Sequence, residues 1–189
     1  MDETIVINFD GASRGNPGTA GIGVVLSASD GTPLVTLGKY IGRATNNFAE
    51  YMALIIGLRE AAKLGAKKLV VRGDSELIIK QMRGEYRVKN PGLKDLYDQA
   101  QKLLSEFQVA KLEHNLREHN SVADKLANLA MDRRGDVTDI DAGPSRPVSG
   151  RNRFSCDSCG CQIEVRKPSS AAGSTNFICQ CGNEMNESN

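Results

Sequence analysis

Apolar and polar positions alternate over residues 4–10, the pattern of a half-buried strand. The alternation returns over residues 21–27 and, after an Asp30-Gly31 turn signal, over residues 34–41, so the opening of the chain reads as an antiparallel meander. Then the period changes. From Phe48 to Leu64, apolar residues at Met52, Ile55, Ile56, Leu58 and Ala62 have the spacing of an amphipathic helix, and Gly65 is placed to stop it. Leu69-Val70-Val71 predicts a short central strand, residues 75–82 and 93–107 predict helices, 110–116 a strand and 121–133 a closing helix. Strands first, then helix and strand in turn, is the order of an α/β chain whose mixed sheet is flanked by helices. From Gly135 to Arg153 the composition shifts to Gly, Pro, Ser, Asp and Arg without periodicity. That stretch predicts a flexible linker, 135–153, between a first domain at 1–134 and a small module at 154–189.

Composition narrows the class. With 189 residues and 40% hydrophobic content, the chain is long enough for one ordinary domain plus a small module. No apolar run approaches the ~20 residues of a membrane helix, and Met1-Asp2-Glu3 leads into a strand-like run rather than a secretory signal. The expectation is a cytoplasmic protein with no membrane partner. Net charge is only +1, so any binding to nucleic acid must come from a local patch. The best candidate is residues 80–94, where Lys80, Arg83, Arg87, Lys89 and Lys94 face Glu85 alone. Such a run can contact phosphates, or it can be a solvated helix end and loop.

Four carboxylates at predicted element ends carry the candidate chemistry, and each also has a structural reading. Asp10, followed by the glycine-rich stretch 11–18, can be a turn residue at the end of its strand. Asn47 and Glu50 have capping-box spacing, Asp74 can cap the helix after it, and Ser121 and Asp124 again have capping-box spacing. Their joint placement points elsewhere. If the strands ending at Asp10 and Asp74 are neighbours, two carboxylates meet, and helices packed on the sheet can add Glu50 and Asp124. Clustered carboxylates repel unless a cation neutralises them, and an oxygen-only set suits Mg²⁺ or Mn²⁺.

Four stretches in order, FDGASRGNPGTAGIG (9–23), TNNFAEYMALIIGL (45–58), VRGDSELI (71–78) and REHNSVADKLANLA (117–130), resemble type 1 ribonuclease H. The first is the specific one. The resemblance covers most of residues 4–133 and implies a five-stranded mixed sheet with helices on both sides. It also implies that Asp10, Glu50, Asp74 and Asp124 form the catalytic set holding two Mg²⁺ or Mn²⁺ ions. The implied reaction is endonucleolytic hydrolysis of the RNA strand of an RNA–DNA hybrid, leaving 5′-phosphate and 3′-hydroxyl ends. Two ions ~4 Å apart can activate the attacking water and stabilise the leaving oxygen, so no protein nucleophile is needed. By the same resemblance Asn16, Asn46 and Asn47 line the hybrid groove. Gly11 and Ser13, in the glycine-rich stretch that permits close backbone approach, are further substrate candidates, and the charge excess of residues 80–94 makes Arg83, Arg87 and Lys89 candidate phosphate contacts. Those glycines and asparagines also read as plain turn and cap residues.

The chain departs from the family in three places. Glu76 stands where some relatives have glutamine, and an ionised carboxylate cannot donate to substrate. Many relatives carry a longer basic protrusion with tryptophans, whereas this chain has no Trp. Relatives also have a histidine on a flexible loop well ahead of the last aspartate, where it helps product leave; His119 precedes Asp124 by only five residues. His119 either imitates that role or merely starts the helix, and His114 reads as structural. A silent adaptor that binds hybrids, and the same fold cutting double-stranded RNA or DNA, are the rival readings.

All five cysteines lie between Cys156 and Cys181. Cys156 and Cys159, then Cys179 and Cys181, resemble the two turns of a zinc ribbon, and thiolates at this density select Zn²⁺. Cys161 is a fifth candidate. A small zinc-ribbon-like module of this kind would contact nucleic acid or a protein partner.

Overall fold

Ile5, Ile7 and Phe9 alternate along the first strand and all three are buried, as a period of two requires when one face meets a core. The structure, a computed structural model, describes residues 4–138 and three short segments, 152–155, 162–165 and 186–188. The chain divides into two compact units, Met1–Ala142 and Gly143–Asn189.

In the first unit, β1 (Thr4–Gly15), β2 (Gly18–Ala28) and β3 (Pro33–Ala44) form the expected antiparallel meander. α1 (Asn46–Lys63) crosses to β4 (Lys68–Gly73), which runs parallel to β1. α2 (Glu76–Met82) and α3 (Pro91–Leu104) lead to β5 (Val109–His114), parallel to β4. A 3-10 turn, Arg117–Asn120, enters α4 (Ser121–Arg133). The sheet order is β3-β2-β1-β4-β5, so the expected five-stranded mixed sheet flanked by helices is the one observed. None of the described helices is long and apolar enough to cross a membrane.

Successive side chains on β2 divide the layers. Ala20, Ile22, Val24 and Leu26 join Ile7, Phe9, Leu54 and Leu58 in the core beneath α1. Gly21 and Gly23, on the other face, lie against α4. α1 is buried more widely than an amphipathic stripe, because the sheet covers one side and α3 packs on another. Tyr51, Leu54, Ile55 and Leu58 are fully buried, Met52 and Ile56 half-buried, and Ala62 is exposed, against its expected place in the apolar face. Gly65, at φ +72, ends the helix in the left-handed conformation, as expected.

One expectation is corrected here. β1 does not end at Asp10; it continues to Gly15, paired with β2 down to Gly15↔Gly18. The glycine-rich stretch is mostly strand, and Asp10 is a mid-strand residue.

The second unit contributes β6 (Asn152–Ser155), β7 (Gln162–Val165) and β8 (Asn186–Ser188), antiparallel in the order β7-β6-β8. Cys156, Cys159, Cys161, Cys179 and Cys181 lie outside the described residues.

Candidate active site

β1 and β4 run in register from Thr4↔Lys68 to Phe9↔Gly73, and there β4 stops. The next residue of each chain segment is an aspartate, so Asp10 and Asp74 flank the point where two parallel strands part. Crevices beyond the carboxyl ends of parallel strands are where α/β sheets bind ligands.

α1 brings the third carboxylate. A Cβ on Gly11 would overlap the backbone nitrogen of Glu50 and the carbonyl carbon of Ala49, so only glycine lets the helix approach β1 this closely. Asp10 and Glu50 are consequently 5% and 4% exposed. Asp10, Glu50 and Asp74 each place one carboxylate oxygen within 4.8 Å of the others.

α4 carries the fourth. Its backbone rests on Gly23, where a Cβ would collide with the Ala123 carbonyl oxygen. The buried Asn120 side chain donates from Nδ2 to the Phe9 carbonyl at 2.8 Å, tying the start of α4 to the residue before Asp10. Asp124 thereby faces the same cavity of about 270 Å³ as the other three carboxylates. Its Oδ1 is engaged by Arg117 Nη2 at 2.8 Å rather than gathered with the triad.

The electrostatics follow from burial. The Asp10 carboxyl is raised from 3.8 to about 7, mainly by loss of solvent, then by the charges of Asp74 and Asp124; Arg117 partly offsets this. Glu50 is raised well above its ordinary value, again by burial first and then by Asp10 and Asp74. Asp10 Oδ2 and Glu50 Oε2 are buried without a hydrogen-bond partner. Buried polar atoms are normally partnered, so two orphaned carboxylate oxygens at one spot mark a place built for a cation. The oxygen-only donor set of Asp10, Glu50 and Asp74 fits a hard divalent ion such as Mg²⁺ or Mn²⁺.

The capping readings fail for all three later carboxylates. α1 is capped by Thr45, whose Oγ1 accepts from Phe48 N at 3.3 Å, and Glu50 is turned into the cavity instead of back to Asn47. Ser75, not Asp74, holds the N-cap position of α2, with no side-chain capping bond, and Asp74 lines the cavity. Asn120 precedes α4, and Asp124 bonds Arg117.

The other expected site residues divide. Gly11 and Asn46 line the carboxylate cavity. Asn47, Arg87 and Lys89 line a neighbouring groove of about 570 Å³ together with Gln81 and Asn90. Ser13 donates to the Ala44 carbonyl at 2.7 Å, and Asn16 Oδ1 accepts from Asn46 N at 3.3 Å, so both stitch the β1–β2 turn to the entry of α1. Arg83 does not line the groove: it reaches the Leu112 carbonyl and pairs at 3.6 Å with Glu85, which does line it. Glu76 pairs with Lys80 and Lys94 with Asp98, each four residues apart on its helix. His119 is exposed, 3.5 Å from Glu118, and does not line the cavity. His114 Nε2 lies 3.1 Å from the Asp74 carbonyl, which can only accept, so the ring donates there and steadies the Asp74 backbone. Two residues at the site were not anticipated, Arg117 and Asn120. Arg117 sits seven positions before Asp124, a cation ahead of a carboxylate across a helix entry, which is the only trace it leaves in the sequence.

Residues 8–130 match the reverse transcriptase-like family. The chain belongs to that family. Its first unit is a ribonuclease H-like domain, similar to RNase H1 from the archaeon Halobacterium salinarum at 45% identity and a TM-score of 0.67, over 69% of this chain and 98% of that one. It is similar at 42% identity and a TM-score of 0.66 to LC11-RNase H1, over 69% of this chain and 98% of that one, in a structure that holds an RNA/DNA hybrid. The bifunctional protein Rv2228c of Mycobacterium tuberculosis is 49% identical over 146 residues, 77% of this chain. The match spans only 40% of that relative's length.

Proposed function

We propose that the first unit hydrolyses the RNA strand of RNA–DNA hybrids, leaving 5′-phosphate and 3′-hydroxyl ends. The observation that carries this reading is the set of carboxylates from β1, α1 and the end of β4, two with orphaned buried oxygens. The likeness to RNase H1 proteins, one of them holding a hybrid, supports it. Asp10, Glu50 and Asp74 would hold one Mg²⁺ or Mn²⁺, and Asp10 with Asp124 a second. Bound there, such a pair supplies an activated water and stabilises the leaving 3′-oxygen.

The protein's own groups position the duplex. Asn46 and Asn47 are consecutive in the first turn of α1, one lining the cavity and the other the groove. Their amides both donate and accept, which suits the 2′-hydroxyls displayed in the shallow minor groove of an A-like duplex. Arg87 and Lys89 farther along the groove would take phosphates. Arg83, spent on β5, is not needed for this path.

Labelled RNA–DNA, RNA–RNA and DNA–DNA duplexes incubated with the protein and Mg²⁺ or Mn²⁺ test the reading. The expected result is cleavage of the RNA strand of the hybrid alone, stopped by EDTA. Tight hybrid binding without cleavage would favour an adaptor, and cutting of RNA–RNA a broader nuclease.

We also propose that residues 154–189 form a zinc-ribbon-like module held by Cys156, Cys159, Cys179 and Cys181, which adds grip on the hybrid or a protein partner. The support is the spacing of the cysteines and a basic run that is partly consumed by internal pairs. A chain ending after Thr138 keeps the Val137–Gly38 pairing that closes the first unit. This shortened chain should show KM for hybrid raised about 10-fold with kcat within about two-fold, as expected when a tethered second contact is lost. The full chain should carry one zinc that Cys156→Ser removes. Unchanged KM would assign the module to a protein partner instead.

A further inference from the structure

Among the described residues Arg117 is the only cation lining the carboxylate cavity, and it is the partner of the one lining carboxylate that stays outside the triad. We propose that Arg117 is a positioning residue that withholds Asp124 from the divalent ion until a phosphate of the duplex takes its guanidinium. The inference rests on the function proposed above and concerns how that site is completed.

Three observations carry it. Asp10, Glu50 and Asp74 are gathered into one cluster, whereas Asp124 Oδ1 is held at 2.8 Å by Arg117 Nη2. The pair is easily exchanged, because the Arg117 side chain is 78% exposed and exposed ion pairs hold weakly. A phosphodiester is the competitor a guanidinium prefers, since its planar fork can give two parallel hydrogen bonds to phosphate oxygens. Four carboxylates otherwise repel the phosphate that must dock among them, so the cation at the rim is the natural first contact. Its transfer to phosphate frees Asp124 at the moment the substrate arrives. Cation binding at the Asp10–Asp124 position and duplex binding then become coupled.

Calorimetric titration of the full chain with Mn²⁺ alone, with no nucleic acid present, reads this directly. Asp124→Asn should leave Mn²⁺ affinity within two-fold, because Asp124 is not yet a ligand. Arg117→Ala should tighten it about five- to ten-fold, and the gain should vanish in the double variant. A gain that persists in the double variant would show that only the guanidinium's field was removed, and would overturn the proposal. So would unchanged affinity in Arg117→Ala, or a several-fold loss in Asp124→Asn alone. Hybrid binding in Ca²⁺ adds a second readout. The slope of log K against log salt should fall by about one phosphate contact in Arg117→Ala and be kept in Arg117→Lys. An unchanged slope in Arg117→Ala would remove the phosphate from the proposal. If Mn²⁺ binds none of the proteins, the metal reading and the latch fall together. Equal binding by all of them overturns the latch alone, and the duplex assay above then still decides the function.

Discussion

Asp10→Asn is expected to lower divalent-dependent cleavage roughly 10³-fold, the scale on which single electrostatic groups act at such sites, and yet to make the metal-free protein more stable. The second half follows from the direction of the pKa. The Asp10 carboxyl is raised to about 7 in the folded protein and Glu50 is raised too, while both ionise near 4 when unfolded. Between those values the folded state holds more protons than the unfolded one, so stability falls as pH rises from about 4 to about 7. Above that window the full cost of the buried charge is present, at most about 4 kcal/mol for Asp10 if the whole difference were expressed. An amide at this position carries no charge and lessens the repulsion felt by Glu50 and Asp74. Scanning calorimetry in EDTA at pH 8 should therefore show Asp10→Asn melting roughly 3–10 °C above the parent, with the advantage shrinking toward pH 5. Mg²⁺ should close the gap by stabilising the parent and not the variant. Equal melting temperatures at pH 8 would mean that the triad is not strained by its own charge.

The same residues show how far the sequence can be read. Element type and order were legible, and α4 coincides with its expected span, because β-branched runs and helical periodicity are strong over these lengths. The end of β1 was not. Asp10-Gly11 followed by more glycines is a turn signal when read along the chain. In the fold, Gly11 and Gly23 serve contacts across it, with the backbones of α1 and α4. The carboxylates pose the same degeneracy: Glu50 and Asp124 stand where capping boxes would place them, and only packing shows that Thr45 caps α1. Their meeting depended on β1 and β4 being neighbours, which the order of strands allowed but did not require. Two of the five cations in residues 80–94 were decipherable from spacing alone, since Glu76–Lys80 and Lys94–Asp98 are four-residue helical pairs. The bond from Arg83 to the Leu112 carbonyl was not, because Arg83 ends α2 and Leu112 lies on β5, 29 residues away in the chain. Arg117 escaped for a related reason: its role exists only once α4 has turned Asp124 back toward it.

Gly11→Ala is expected to damage fold and site together. A methyl group there meets the backbone of Ala49 and Glu50, which has no rotamer by which to yield, so α1 must back away from β1. Displacing a helix that packs fully buried residues such as Leu54 and Leu58 against the sheet should cost about 2–4 kcal/mol. Glu50 moves with the helix. A shift of about 1 Å at a site of this kind lowers turnover by roughly 10²-fold, so cleavage in the fraction that remains folded should fall on that scale. Gly31→Ala separates the two consequences. Gly31 has φ +88 but open space around it, so alanine there is strained by about 1 kcal/mol without moving any element of the site. Its melting temperature should drop modestly while cleavage per folded molecule stays at the parent's level. Divalent titration distinguishes the variants again: Gly31→Ala should bind as the parent does, and Gly11→Ala several-fold more weakly. If Gly11→Ala cleaved and bound normally, the close approach of α1 to β1 would not be what holds Glu50 beside Asp10, and the carboxylate set would have to be assembled some other way.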